Sequence, residues 1–422
     1  MQSAATLTPS AAEADTGTQA RTWDRGYEIR AIGLLSVGFG LVGLDRFIIY
    51  PLFPVMAEDL GLTYQDLGLV SGVLALTWGL SSVFGGNLSD RLGVKLVLVV
   101  SAVLFSLLVG ISGLAVGLAS LLVIRGLMGV AEGGFVPASI VATMDASKPS
   151  RIGMNVGIQQ MTAPLIGLGI GPLIAVGLLA VLPGWEWVFV TVAIPGFILA
   201  FFLMKVIRNP APAQKSAAQT QTPSLLAPFQ YRNIVFAVLG MFCFFSCLNV
   251  LSTFMPSYLT DHLKLPIGEM GMVLSALGVG GFIGMVVVPA LSDKFGRKAV
   301  MLTALVLQIG GLLAAMSVGS NPILLAASLA LVSFLNSGVV AITVGPLVNE
   351  TVPPAIVATA TGLVVGLGEV VGGAAAPAIT GSVAQSLGIE VILQVALIAS
   401  LLGACVVAFG IKSSASKPQD AL

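Results

Sequence analysis

Asp45 and Arg46, Arg125 and Glu132, and Glu369 are ionisable side chains set well inside long apolar runs of this 422-residue sequence. A charge at the centre of a hydrocarbon layer costs about 2.5–3.5 kcal/mol on insertion scales, so each must face a partner or a wet cavity. In the first half of the chain, Asp45 and Glu132 balance Arg46 and Arg125. If one arginine engages an anion, an acid loses its partner and takes up a proton, and the two movements become coupled. One of Asp45 and Glu132 is therefore the expected proton site. The competing reading is a static pair, such as Asp45 with Arg125, that fastens helices together.

The elements that must carry these residues follow from hydropathy. Apolar runs lie at roughly 31–56, 66–88, 96–117, 119–143, 152–180 and 187–207. Six more lie at 233–259, 269–291, 299–318, 322–347, 356–384 and 389–411. Each is long enough to cross a bilayer. The expected fold is an all-α membrane protein of twelve transmembrane helices in two pseudo-symmetric six-helix halves, residues 31–207 and 233–411. A polar linker at 208–232 joins them, with tails at 1–30 and 412–422. The first tail has no apolar stretch of signal-peptide length and is expected to end in a short interfacial helix around Trp23 to Arg30.

Composition agrees. Soluble domains carry about 25% charged residues, whereas this chain has 9% charged, 56% hydrophobic and a mean hydropathy of +1.02. The 19 basic and 19 acidic residues cancel, which leaves no basic surface for nucleic acid. Cys243, Cys247 and Cys405 fall in apolar runs and read as small buried hydrophobes, and the single histidine, His262, lies in a polar connection. No nucleotide loop, metal cluster or nucleophile–base pair is present, so an enzyme is not expected and no cofactor is needed. The driving force is then an ion gradient, with protons favoured over sodium.

Basic residues fix the expected orientation. Arg21, Arg25, Arg30, Arg91, Lys95, Lys148, Arg151, Lys205, Arg208, Lys215, Arg232, Lys294, Arg297, Lys298, Lys412 and Lys417 all fall on one side of the membrane, against Lys264 on the other. Both termini should be cytoplasmic. Spans 1 and 4 then run in opposite directions. Asp45, Arg46 and Arg125 share a level in the outer half, and Glu132, seven residues beyond Arg125, lies roughly 10 Å deeper on nearly the same face.

An internal repeat supports the two halves. Gly86-Asn-Leu-Ser-Asp90-Arg91-Leu-Gly93-Val-Lys95 stands between spans 2 and 3, and Pro289-Ala-Leu-Ser-Asp293-Lys294-Phe-Gly296-Arg297-Lys298 between spans 8 and 9. Each must reverse the chain at the membrane surface, where glycine permits a tight turn. Such halves place a substrate site between them near the midplane. With twelve spans and a central linker, these paired loops resemble the major facilitator superfamily over nearly all of residues 31 to 411. The resemblance implies that fold and alternating access, with Gly86, Asp90, Arg91, Gly93, Asp293, Lys294, Gly296 and Arg297 as the conformational motif.

Three further stretches resemble the anion:cation symporter branch. They are Leu44-Asp45-Arg46 followed by Pro51, Pro54 and Glu58-Asp59-Leu60-Gly61-Leu62, then Arg125-Gly-Leu-Met-Gly129-Val-Ala-Glu132, and Phe254-Met-Pro256-Ser-Tyr258-Leu259. The resemblance implies that Asp45 and Glu132 are proton-linked acids, Arg46 a substrate-carboxylate contact and Arg125 an ion-pair partner near the substrate. An arginine suits a carboxylate because its planar fork can bind both oxygens. Two positions depart from that pattern. Phe47 replaces a polar residue, and Glu369 replaces a neutral amide. An acid at 369 would repel a carboxylate, couple a second proton, or attract an amine.

Polar residues that would complete a cavity are Gln159, Gln160, Asn249, Ser252 and Asn336, although an amide in a span also serves as interhelical glue. Phe39, Tyr50, Trp78 and Tyr258 are candidate aromatic linings. Gly167-x-Gly169-x-Gly171-Pro172 resembles the glycine-proline motif of drug:proton antiporters, and close helix packing explains it equally. The leading expectation is a proton-coupled importer of a small organic anion, a carboxylate or sugar acid. It should act as a monomer in a bacterial cytoplasmic (inner) membrane. The alternative is a proton antiporter exporting drugs or amphipathic metabolites.

Overall fold

The computed structural model describes residues 23–208, 226–353 and 356–412. They form membrane-length helices α1 (Arg25–Leu60), α3 (Val94–Ser112), α4 (Leu118–Ala146), α5 (Pro149–Val181) and α6 (Trp185–Val206) in the first half. The second half holds α7 (Arg232–His262), α8 (Ile267–Phe295), α9 (Arg297–Ser317), α10 (Pro322–Thr351), α11 (Thr359–Leu387) and α12 (Val391–Gly410). Helix α2 (Tyr64–Leu92), 29 residues long, completes twelve passes. No strand occurs among the described residues.

Local chemistry sets the helix ends. Asp24 accepts hydrogen bonds from the N–H groups of Gly26 and Tyr27, so α1 starts at Arg25 and absorbs the segment expected as a separate interfacial helix. Thr63 and Asp66 form a reciprocal capping box at the start of α2. Between α2 and α3 stands Gly93 alone, and between α8 and α9 Gly296 alone, with φ of 89° and 85°. Both need the freedom of glycine. Gly86 and Asp90 fall within α2, but their side chains lie outside the described residues.

The end of the bundle bearing Trp23 and Lys412 is called the terminal face here, and the opposite end the far face. One apolar cluster runs through the first half and continues into far-side portions of α7, α8, α10 and α12. A separate cluster around Ile234, Met241, Phe244, Met301 and Val339 fills the terminal side of the second half. The halves are thus fused at the far face. Backbones touch there, since a Cβ on Gly68 would stand 2.4 Å from the Pro377 carbonyl oxygen, and one on Gly278 2.1 Å from the Leu168 carbonyl carbon. The Tyr64 hydroxyl donates to Asp261 (2.9 Å), and its main-chain N–H to Gln385 (3.1 Å). Where α1, α5, α7 and α8 meet, the void beside Tyr50, Pro172 and Ser252 is only about 10 Å³, room for no more than one water.

Toward the terminal face, α5 residues 152–163 pack on α1 and α4, and residues 357–368, which lead into and open α11, pack on α7. A Cβ on Gly153, Gly157, Gly362 or Gly366 would meet nothing within 4 Å. Outward-facing Leu104, Leu107, Val123, Phe201 and Leu402 remain exposed, as a lipid-facing surface requires.

Candidate functional site

Asp45 and Arg46 lie where α1 is interrupted at Ile48. Pro51 has no N–H to offer the Phe47 carbonyl four residues back, which weakens the helix at this point. Arg125 of α4 takes up the slack. Its Nη1 donates to the main-chain oxygens of Asp45 (3.0 Å) and Arg46 (3.4 Å). This is a different bond from the expected pair, because the guanidinium grips the backbone of Asp45 and not its carboxylate.

Glu132 lies two turns further along α4 and is fully buried. Neither of its carboxylate oxygens has a hydrogen-bond partner among the described residues, nor do Nε and Nη2 of buried Arg125. The charges of Arg46 and Arg125 act on Glu132, and those of Glu132 and Arg125 act on buried Asp45. The four charged residues expected together are therefore brought together. They hold polar atoms that only a ligand, a proton or water would satisfy.

Arg46 forms an ion pair with Glu369 of α11, joining the two halves. Its guanidinium also faces the Phe47 and Trp78 rings, at 5.6 and 5.7 Å. Glu369 opens a widened π-helical stretch, Glu369–Ala375. The matching stretch of α5 is Pro164–Ile170. Such bulges recur at functional sites.

The other candidates divide. Gln159 is fully buried and spent within the first half, donating to Ser139 (2.7 Å) and accepting from Thr143 (2.9 Å). That geometry ties α4 to α5. Gln160 keeps a buried Nε2 without a partner. Asn249 donates back to the Phe245 carbonyl (3.0 Å). Tyr50 reaches Ser71 (2.9 Å), and Ser71 reaches Thr253 (3.2 Å), a hydroxyl chain across the halves. Tyr258 stacks on His262 at 5.2 Å, at the far end of α7, away from the charge cluster. In the conformational motif, Arg297 pairs with Asp293 and with Glu350 (2.8 Å), while Arg91 and Lys294 are exposed.

The glycine motif of α5 is a packing device. A Cβ on Gly167 would stand 2.5 Å from the Gly43 carbonyl oxygen, and Gly169 lies against Gly278 and Val279 of α8. Ser275 donates to the Gly169 carbonyl. A further network escaped the sequence reading, in which Gln308 donates to Ser400 (2.7 Å), Cys247 (3.4 Å) and Asn336 (3.3 Å). Only the polarity of Gln308 within an apolar run could have signalled it.

Twelve helices in two halves around a buried charge cluster define a polytopic membrane protein. The Major Facilitator Superfamily model matches residues 35–364 and 237–421, and the chain belongs to that family. It is 30% identical over 284 residues to the hexuronate transporter of Bacillus subtilis, covering 62% of this chain and 66% of that one. It is 24% identical to a probable sulfoacetate transporter, SauU, of Cupriavidus necator, covering 63% and 65%. It is 26% identical to the quinolone resistance protein NorA of Staphylococcus aureus, covering 63% and 65%. The chain thus spans just under two thirds of the length of these relatives. In fold it resembles a bacterial homolog of the human lysosomal transporter Spinster (TM-score 0.73, 16% identity, 92% of this chain and 95% of that one). It also resembles the nucleoside transporter NupG (TM-score 0.77, 15% identity, 92% and 100%).

Proposed function

We propose that this transporter carries a small organic anion, a carboxylate or sugar acid, together with protons by alternating access. The observation that carries the reading is the convergence of Arg46, Arg125, Asp45 and Glu132, with buried and unpartnered polar atoms on Arg125 and Glu132. In this reading Arg46 and Arg125 receive the carboxylate, and Glu132 and Asp45 carry protons that compensate its charge. Gln160 and Tyr50 supply further polar contacts. In this reading the basic terminal face is the cytoplasmic one and the closely packed far face the outer one. Two relatives whose names contain organic anions, hexuronate and sulfoacetate, support the substrate class.

A second reading, drug export by proton antiport, has the NorA relative in its favour and Glu369 as an acid that would attract a cation. The glycine motif adds little to it, since packing against α1 and α8 accounts for those glycines. Uptake into liposomes under an inward proton gradient separates the two readings, using gluconate, glucuronate, benzoate, succinate and lactate in parallel with expulsion of a cationic dye. Gradient-driven accumulation of a carboxylate, lost in Arg46→Ala, is the expected result. Dye expulsion with no anion accumulation would sink the symport reading.

A further inference from the structure

Resting on the anion-symport reading above, we propose that Glu369 is a tethered occupant of the anion site: its carboxylate holds Arg46 when no substrate is bound, and it must be protonated before a substrate carboxylate can take its place. The Arg46 fork can present paired donors to one carboxylate, and Glu369 already engages it. A second ionised carboxylate at the same guanidinium would meet both a filled donor face and a like charge. The two anions therefore compete.

The surroundings of Glu369 allow the exchange. Gly362, Gly366 and Glu369 lie on one face of α11 at helical spacing, and Cβ atoms at the two glycines would meet nothing within 4 Å. This face is open, and the Arg46 side chain beside it keeps 15% of its surface exposed. On the other side the carboxyl lies against Gly373, where a Cβ would come within 2.7 Å of it. Room for Glu369 has thus been made by a glycine one turn later.

Among the described residues packed on this stretch, no second cation competes with Arg46 for the carboxylate. The part of α2 packed on this stretch, residues 72–79, holds no titratable group, and neither do residues 357–368 and 376–387 on either side of it. The stretch of α7 packed on it presents Met241, Phe245 and Ser246, while Cys243 lies against Gly403 of α12 and Cys247 is held by Gln308 and Ser400. From α1 comes Arg46, and behind it lie Tyr50, Asp45, Arg125 and Glu132. Arg46 is therefore the counter-charge of Glu369, and protonation of the carboxyl is the step that frees it. Once neutral, Glu369 turns from a competitor into a hydrogen-bond donor toward the incoming carboxylate. The order is proton first, anion second.

A competitor covalently held in the site lowers the apparent affinity by the fraction of molecules in which it has let go. Each linked proton makes that affinity fall about tenfold per pH unit where the group is ionised. The test is calorimetric binding of gluconate, glucuronate, benzoate, succinate and lactate to the purified full-length protein, from pH 5.5 to 8.5 and in two buffers of different ionisation enthalpy. For whichever of these anions binds, Glu369→Gln is expected to bind about tenfold tighter than the natural protein at pH 8. It should also take up one proton fewer per anion. Glu369→Asp keeps the charge on a shorter arm, so it should bind more tightly while retaining the proton uptake. Thermal melting checks that each variant is folded, and Glu369→Asp carries the test if Glu369→Gln is not. Equal or weaker binding by the folded variants, with proton uptake unchanged, overturns the inference and makes the pair a strut between the halves. Binding of no carboxylate by either protein at any pH overturns the anion reading itself, and this inference with it.

Discussion

Arg125 donates through Nη1 to the main-chain oxygen of Asp45 at 3.0 Å and leaves Nε and Nη2 without partners among the described residues. One residue thereby braces an interrupted α1 and holds positive charge beside Asp45 and Glu132. Removing the charge should leave two buried acids without their shared cation. Arg125→Met is expected to cost about 3–5 kcal/mol of stability, the usual consequence of deleting one member of a buried charge set. Arg125→Lys keeps the charge but loses the fork that spans both carbonyls, and should fall between the two. Melting temperatures of the purified variants check the order. Equal melting for Arg125→Met and the natural protein would show that the brace does not matter.

Glu132 poses a cleaner question because nothing among the described residues satisfies its oxygens. Glutamine has its size but cannot exchange a proton. Glu132→Gln is expected to keep exchanging labelled for unlabelled anion across a membrane with no gradient, while gradient-driven accumulation falls to background. If accumulation persists in the variant, the proton travels elsewhere, and Asp45 becomes the first place to look.

The central charges were legible in the sequence because a charge in an apolar run announces itself, and a rise of 1.5 Å per residue is enough to compare depths. The partner of Arg46 was not. Its pairing with Glu369 spans 323 positions and depends on how two separately folded halves are seated. Gln159 was ambiguous for another reason, since a span amide looks the same whether it meets a ligand or, as here, Ser139 and Thr143. The stacking of the Tyr258 ring on His262, one turn away, was not legible either, because the direction of a ring depends on its neighbours. The early start of α1 at Arg25 could have been read, as Asp24 is a sound cap just before it.

Closure of the far face depends on backbone contact more than on bonds. The Tyr64–Asp261 hydrogen bond contributes there, yet a bond to a charged group adds only about 1.5–3 kcal/mol. At Gly278 the constraint is steric, with a new Cβ 2.1 Å from the Leu168 carbonyl carbon and 2.2 Å from the Gly169 nitrogen. Neither is the end of a flexible side chain, so α5 and α8 would have to separate. Gly278→Ala should therefore disfavour the closed far face without disturbing the charge cluster. A cysteine placed at Thr253, which is fully buried in this state, reports the change. Its labelling by a membrane-impermeant maleimide from the far side should rise several-fold in Gly278→Ala, with transport falling in parallel. Unchanged labelling would mean that the halves close by some other contact, and Gly68 against Pro377 would then be the contact to open next.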